Sequence, residues 1–108
     1  MNNFTLAQIQ RLIADPAIRV PTGDAFLDNR HNTAPHLYYR LFYHLARLLR
    51  PGLVVELGGW QGTAAAHFAA GWKKAIVVTI DHHTDLGDEV HKEKMMETAR
   101  EYKNLVYL

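Results

Sequence analysis

The feature that most narrows the folds open to this 108-residue chain is a change of hydrophobic period in its second half. Leu53-Val54-Val55-Glu56-Leu57 is a short, nearly continuous apolar run between turn residues, the pattern of a strand buried on both faces. Gly58-Gly59-Trp60-Gln61-Gly62 is a glycine-rich turn. Thr63 to Ala70 is alanine-rich and helical, with Gly71 expected as its C-terminal cap. Ala75 to Ile80 reads as a second buried strand, ending in Asp81-His82-His83. Asp88 to Tyr102 reads as a charged helix with Val90, Met95 or Met96, Ala99 and Tyr102 on its inner side. Asn104 to Leu108 begins a third strand. Strand, helix, strand, helix, strand implies a parallel sheet joined by right-handed crossovers. The expected class is α/β, a partial three-layer sandwich with a short parallel sheet of about three strands.

Composition removes several alternatives. Twelve Lys and Arg against eleven Asp and Glu leave a net charge of +1, and no segment concentrates basic residues, so nucleic acid is not indicated as a partner. The lack of cysteine excludes a disulfide scaffold, a cysteine-based zinc site and a thiol nucleophile. A hydrophobic content of 48% argues against wholesale disorder. The longest strongly apolar stretch, Ala75 to Ile80, is far shorter than the about 20 residues that span a bilayer. The start, Met1 to Gln8, lacks a basic region followed by an apolar core. The expectation is a cytoplasmic protein that does not enter a membrane.

The first half reads as a lead-in, residues 1–35, followed by the sheet-forming part, residues 36–108. Thr5 and Gln8 form a capping-box pattern, and Leu6, Ile9 and Ile13 recur at helical spacing until Asp15-Pro16. Residues 15–35 carry Pro16, Pro21, Gly23, Asp24, Asn29, Asn32 and Pro35, which is loop chemistry with room for one short turn of structure. A longer helix follows, with Thr33 as N-cap and Pro35 in the first turn. Leu37, Leu41, Leu45 and Leu48, beside Tyr38, Phe42 and Leu49, give it a broad apolar face. Arg40, Arg47 and Arg50 are expected to face water, and Pro51-Gly52 ends the helix.

The turn after the first strand carries the chemistry. Its glycines permit positive φ and let a ligand approach the backbone, and the helix that follows offers free N–H groups. Asp81 ends the next strand, 19 residues beyond Gly62, where an acid can accept hydrogen bonds from both hydroxyls of a ribose. Ligands of parallel sheets bind beyond the carboxyl ends of the strands. These features together describe an adenosine-containing ligand laid across two strand ends.

Glu56-x-Gly58-x-x-x-Gly62 after a buried strand resembles the first motif of the class I S-adenosylmethionine-dependent methyltransferases, which have a Rossmann-like fold. Asp81 matches their second motif. The resemblance covers roughly Thr33 to Leu108, and its specific part is Val54 to Asp81. It implies that Glu56 supports the glycine loop near the methionine end of the cofactor. It implies further that Gly58, Gly59 and Gly62 let the loop pass close, that Asp81 holds the ribose, and that His82 flanks ribose or adenine. Trp60 stands where the commonest family pattern has a further glycine, and it would shield the ligand or pack against the helix. A nicotinamide dinucleotide is the rival ligand of this fold, but its Gly-x-Gly-x-x-Gly pattern is missing here.

Ile80-Asp81-His82-His83 also resembles the motif of the DHH phosphoesterases, which hold paired manganese ions, with Asp85, Asp88 and His91 downstream. The upstream histidine–aspartate cluster of that family has no counterpart before Asp81, so no metal is assigned. His36 and His44 read as surface or half-buried helix residues, and His67 as facing solvent or a neighbouring helix.

The functional expectation is an S-adenosylmethionine-dependent methyltransferase, or its cofactor-binding half, with S-adenosyl-L-methionine as cofactor and the acceptor open. Acceptor-side groups of that family lie after the fourth strand, so no catalytic residue is assigned. The first alternative is a non-catalytic Rossmann-like module completed by a partner chain, and the second is the metal-dependent phosphoesterase. Without a fourth strand, Leu53–Leu57 is left as an unpaired apolar edge, so a homo-oligomer or a completing partner is expected.

Overall fold

The computed structural model describes residues 5–29, 37–83 and 88–108. Helix α1 is Leu6–Ala14, a 3-10 turn spans Pro16–Arg19, and α2 is Ala25–Asn29. Helix α3, Leu37–Leu49, leads into β1, Leu53–Leu57. Then follow α4, Thr63–Gly71; β2, Ile76–Ile80; α5, Asp88–Glu101; and β3, Leu105–Tyr107. The three strands form one parallel sheet in the order β1-β2-β3, with Leu53 opposite Ile76 and Val77 opposite Leu105. The α/β class and the parallel sheet are as the sequence predicts.

The local start signals work as read. Thr5 accepts from the Gln8 amide, the Gln8 side chain accepts from the Thr5 amide, and Asp15 closes α1 and opens the 3-10 turn. Residues 15–29 hold two short elements, the 3-10 turn and α2, where the sequence suggests one turn at most. Asp28 is the cause, accepting from the Thr22 amide and hydroxyl and from the Gly23 amide, so that this segment folds around one carboxylate. Thr33, Pro35 and His36 lie outside the described residues.

The lead-in shares the main core. Leu27 is fully buried with Ala65, Ala66, Ala69, Val77, Tyr102 and Leu105. Phe26 meets the Tyr102 ring edge-on, and the Tyr102 hydroxyl donates to Asp24 at 3.0 Å. Tyr39 stacks on His67 and Phe42 on Phe68, which joins α3 to α4. His67 is accordingly buried, with Nδ1 2.6 Å from the Thr63 carbonyl oxygen.

Four sequence expectations are corrected. Gly71 is the last residue of α4, not a left-handed cap: a Cβ there would strike the Tyr43 carbonyl and lie 3.0 Å from Ala46 Cβ, so the glycine allows α3 and α4 to touch. Arg40 is half-buried, because its guanidinium turns back to donate to the Arg19 carbonyl at 2.9 Å. On α5, Met95 and Thr98 face inward while Val90 and Met96 are exposed; Thr98 satisfies its hydroxyl by donating to the Lys94 and Gln61 carbonyls. Finally, β1 and β2 are not buried on both faces. Leu53, Val55, Leu57, Ile76, Ile80, Val106 and Leu108 are exposed on one side of the sheet. The crossovers through α4 and α5 advance in the same direction across the sheet, so right-handed connections place both helices on the same face. Among the described residues, nothing covers the other face. Two layers of the three-layer sandwich are present, and β1 is an open edge.

Candidate functional site

The carboxyl ends of the strands meet the glycine turn at a cavity of about 510 Å³. Its lining is Leu57 and Gly58 from the end of β1, Ile80, Asp81 and His82 from the end of β2, and Leu108 after β3. This volume is in the range of small-molecule sites, and the lining is largely apolar with one carboxylate. Gly58, Asp81 and His82 are therefore brought together as the sequence places them. Leu57, Ile80 and Leu108 are additions. Their alternation within the strands carried that signal, since each occupies the same sheet face as the exposed residues behind it.

The turn is shaped by backbone that side chains rarely adopt. Gly58 and Gly62 both have φ of 79°, and Trp60, between them, has φ of 53°. The glycines nevertheless serve different ends. A Cβ on Gly58 would meet nothing within 4 Å, so its flank is open. A Cβ on Gly59 would strike the Thr79 hydroxyl and lie 2.6 Å from Met95 Cε and 2.8 Å from Glu56 Oε1. At Gly62, the N-cap of α4, a Cβ would come within 2.7 Å of Met95 Sδ. Gly59 and Gly62 are thus buried packing glycines that seat the turn on α5 and the sheet.

Most amides of the turn are used within the protein. Gly58 donates to the Ile80 carbonyl at 2.8 Å and Gly62 to the Gly59 carbonyl at 2.8 Å. Trp60 donates to Asp81 Oδ2 at 2.8 Å, and the His83 amide donates to Asp81 Oδ1 at 3.0 Å. Asp81 therefore ties the turn to the end of β2. These bonds, the His83 amide foremost and the Trp60 amide after it, hold the Asp81 carboxyl below the ordinary aspartate value against partial desolvation, with His83 and His82 adding charge attraction. Each carboxylate oxygen accepts one of these bonds and keeps a further lone pair.

Glu56 does not line the cavity. It points to the covered face, beneath Gly59, and accepts from the Thr79 hydroxyl at 2.8 Å. Burial raises its carboxyl; the Thr79 bond opposes this, and the nearby charge of Asp81 adds to it. It supports the turn from below. The Trp60 ring is half-exposed and lies 4.6 Å from the His91 ring on α5, while the Gln61 side-chain Nε2 is 2.9 Å from His91 Nδ1. The Trp60 ring thus packs against α5 while keeping half of its surface exposed.

His83 is the residue that sequence reasoning undervalued. It is buried, its Nε2 lies 2.7 Å from the Trp60 carbonyl oxygen, and its Nδ1 lies 2.9 Å from the Tyr107 hydroxyl. Among the described residues, no group of three or more His, Asp or Glu side chains is arranged to hold a metal ion. Asp85 lies outside the described residues. No helix among the described residues is long and apolar enough to cross a membrane. No protein-family model matches the chain, and no curated protein matches it.

Proposed function

We propose that this chain binds S-adenosyl-L-methionine across the ends of β1 and β2, as a Rossmann-like module of the class I methyltransferase kind. The observation that carries the proposal is the cavity at the strand ends, where Asp81 stands beside the open flank of Gly58. Asp81 would take the ribose hydroxyls on its remaining lone pairs. Leu57, Ile80 and Leu108 offer apolar contact to a base, and His82 flanks it. Glu56, Gly59 and Gly62 act one step back by seating the turn. Trp60 contributes its amide to Asp81, and its ring stays on α5. S-adenosylmethionine, when bound, supplies a sulfonium-activated methyl group; the residues described here bind and orient.

The test is titration calorimetry with S-adenosylmethionine and S-adenosylhomocysteine. Binding of both by the wild type, with a loss of at least tenfold in Asp81→Ala, is expected from removal of a charged acceptor. Failure of the folded wild type to bind either ligand refutes the proposal.

A second reading, a non-catalytic module completed by a second polypeptide, is favoured by the open β1 edge and the bare apolar face. Exposed patches of this kind are commonly interaction sites. Concentration-dependent mass by light scattering, abolished by Val55→Lys, is the expected signature of self-association. A wild-type monomer at high concentration would remove the second-copy form of this reading.

A further inference from the structure

We infer that His83 is a positioning residue that holds Asp81 and the glycine turn in the geometry a ligand requires; this rests on the S-adenosylmethionine reading above. Three bonds close a ring of residues. The Trp60 amide donates to Asp81 Oδ2, the His83 amide donates to Asp81 Oδ1, and the His83 ring reaches the Trp60 carbonyl at 2.7 Å. A carbonyl oxygen only accepts, so Nε2 carries the proton and donates. Both peptide groups that flank the Trp60 Cα are thereby fixed from the same side, one by Asp81 and the other by His83.

This accounts for two unusual backbones at once. Trp60 has φ of 53° and His83 φ of 47°, in a region that disfavours bulky residues. Such conformations persist where the surroundings over-determine them. On its other side the ring meets the Tyr107 hydroxyl at 2.9 Å, and that hydroxyl lies 3.3 Å from the Asp81 carbonyl. The imidazole therefore joins the turn after β1, the end of β2 and the last residue of β3. Without it Trp60 is free to leave the left-handed region, its amide leaves Asp81, and the carboxylate is no longer aimed beside Gly58.

The test uses four variants of the full chain and two readouts. Amide hydrogen exchange at Trp60, with the Val77 amide of the central strand as control, reports the turn. Calorimetry with S-adenosylhomocysteine reports the site. His83→Met fills comparable volume without a donor, and His83→Gln can place an amide N–H near the position of Nε2. Tyr107→Phe removes only the hydroxyl, and His83→Ala is the full deletion. Expected in His83→Met and His83→Ala are about tenfold faster exchange at Trp60 and about tenfold weaker binding, the scale of one lost hydrogen bond. His83→Gln is expected to restore both to within about threefold of wild type, with Tyr107→Phe between. Space-filling alone would make Gln and Met equivalent, and that result overturns the inference, as does unchanged Trp60 exchange in every variant. If the wild type binds no adenosyl ligand, the ligand reading falls, and exchange at Trp60 still decides whether His83 holds the turn. Should His83→Ala unfold, the comparison of Met with Gln carries the decision.

Discussion

Gly58 and Gly59 are adjacent, yet replacing each by alanine should destabilise the chain through unrelated causes and by different amounts. At Gly58 there is room for a methyl group, but the backbone is left-handed, with φ of 79°. Forcing a Cβ into that region costs about 1–2 kcal/mol. At Gly59 the added Cβ has no room, because the Thr79 hydroxyl, Met95 Cε and Glu56 Oε1 converge on it. Overpacking alone costs about 1–3 kcal/mol. The Glu56–Thr79 bond lies in the path, and losing it strands the buried Thr79 hydroxyl and the half-buried Glu56 carboxylate at about 1–3 kcal/mol more. Gly59→Ala should therefore cost about 2–6 kcal/mol, clearly more than its neighbour. Urea unfolding followed by circular dichroism reads both, the midpoint shift being converted with a common slope. Further variants separate the causes. Asn tolerates the left-handed region, so Gly58→Asn should recover much of the loss while Gly59→Asn should recover none. Adding Thr79→Ala to Gly59→Ala should be less damaging than the sum of the single changes, since one vacates the space the other needs. Equal losses at the two glycines, or strict additivity with Thr79→Ala, would refute this account of the turn.

Other outcomes follow from the same geometry. Helix propensity favours Gly71→Ala by about 1 kcal/mol, but the Tyr43 carbonyl and Ala46 oppose it by about 1–3 kcal/mol; a net loss of up to about 2 kcal/mol in urea unfolding is expected. Trp60→Gly should be about 1 kcal/mol more stable than Trp60→Ala, the reverse of the usual preference, because both lose the ring while only glycine relaxes at φ of 53°. The depressed Asp81 carboxyl stabilises the native state at pH above the unfolded aspartate value, and that contribution disappears as pH falls through its lower folded value. Thermal midpoints of Asp81→Asn and wild type should therefore converge as the pH falls below about 4, with wild type the more stable at neutral pH.

Strong local signals in the sequence carried the architecture. The Thr5–Gln8 capping box, the runs at Leu53–Leu57 and Ala75–Ile80, and the turn between them correspond to observed elements because each is set by neighbours in the chain. Gly58, Asp81 and His82 meet at the cavity for the same reason: parallel strands of known order bring their ends together. What was illegible depends on distance and direction. The role of Gly71 is visible only once Tyr43 lies against it. Burial on both faces was read for β1 from its composition, which states that the residues are apolar and not whether an element covers each side. His83 stood out as part of an Asp-His-His string, which suggested metal; its actual partners, the Trp60 carbonyl and Tyr107, lie 23 and 24 positions away.

The contact pattern also bears on how the chain reaches this structure. Each strand pairs with its successor, and α3 packs chiefly on α4, yet the paired strand residues stand 23 (Leu53 and Ile76) and 28 (Val77 and Leu105) positions apart. Parallel pairing over such distances must close long loops before it is rewarded, which slows folding. The bond from Tyr102 to Asp24 reaches farther still, bridging 78 positions beside the Phe26–Tyr102 ring contact to join the lead-in to the residue after α5. It should therefore form late: Tyr102→Phe is expected to speed unfolding in stopped-flow measurements while leaving the folding rate nearly unchanged. A contact of such long reach would then govern how long the chain stays folded, and hardly at all how quickly it folds.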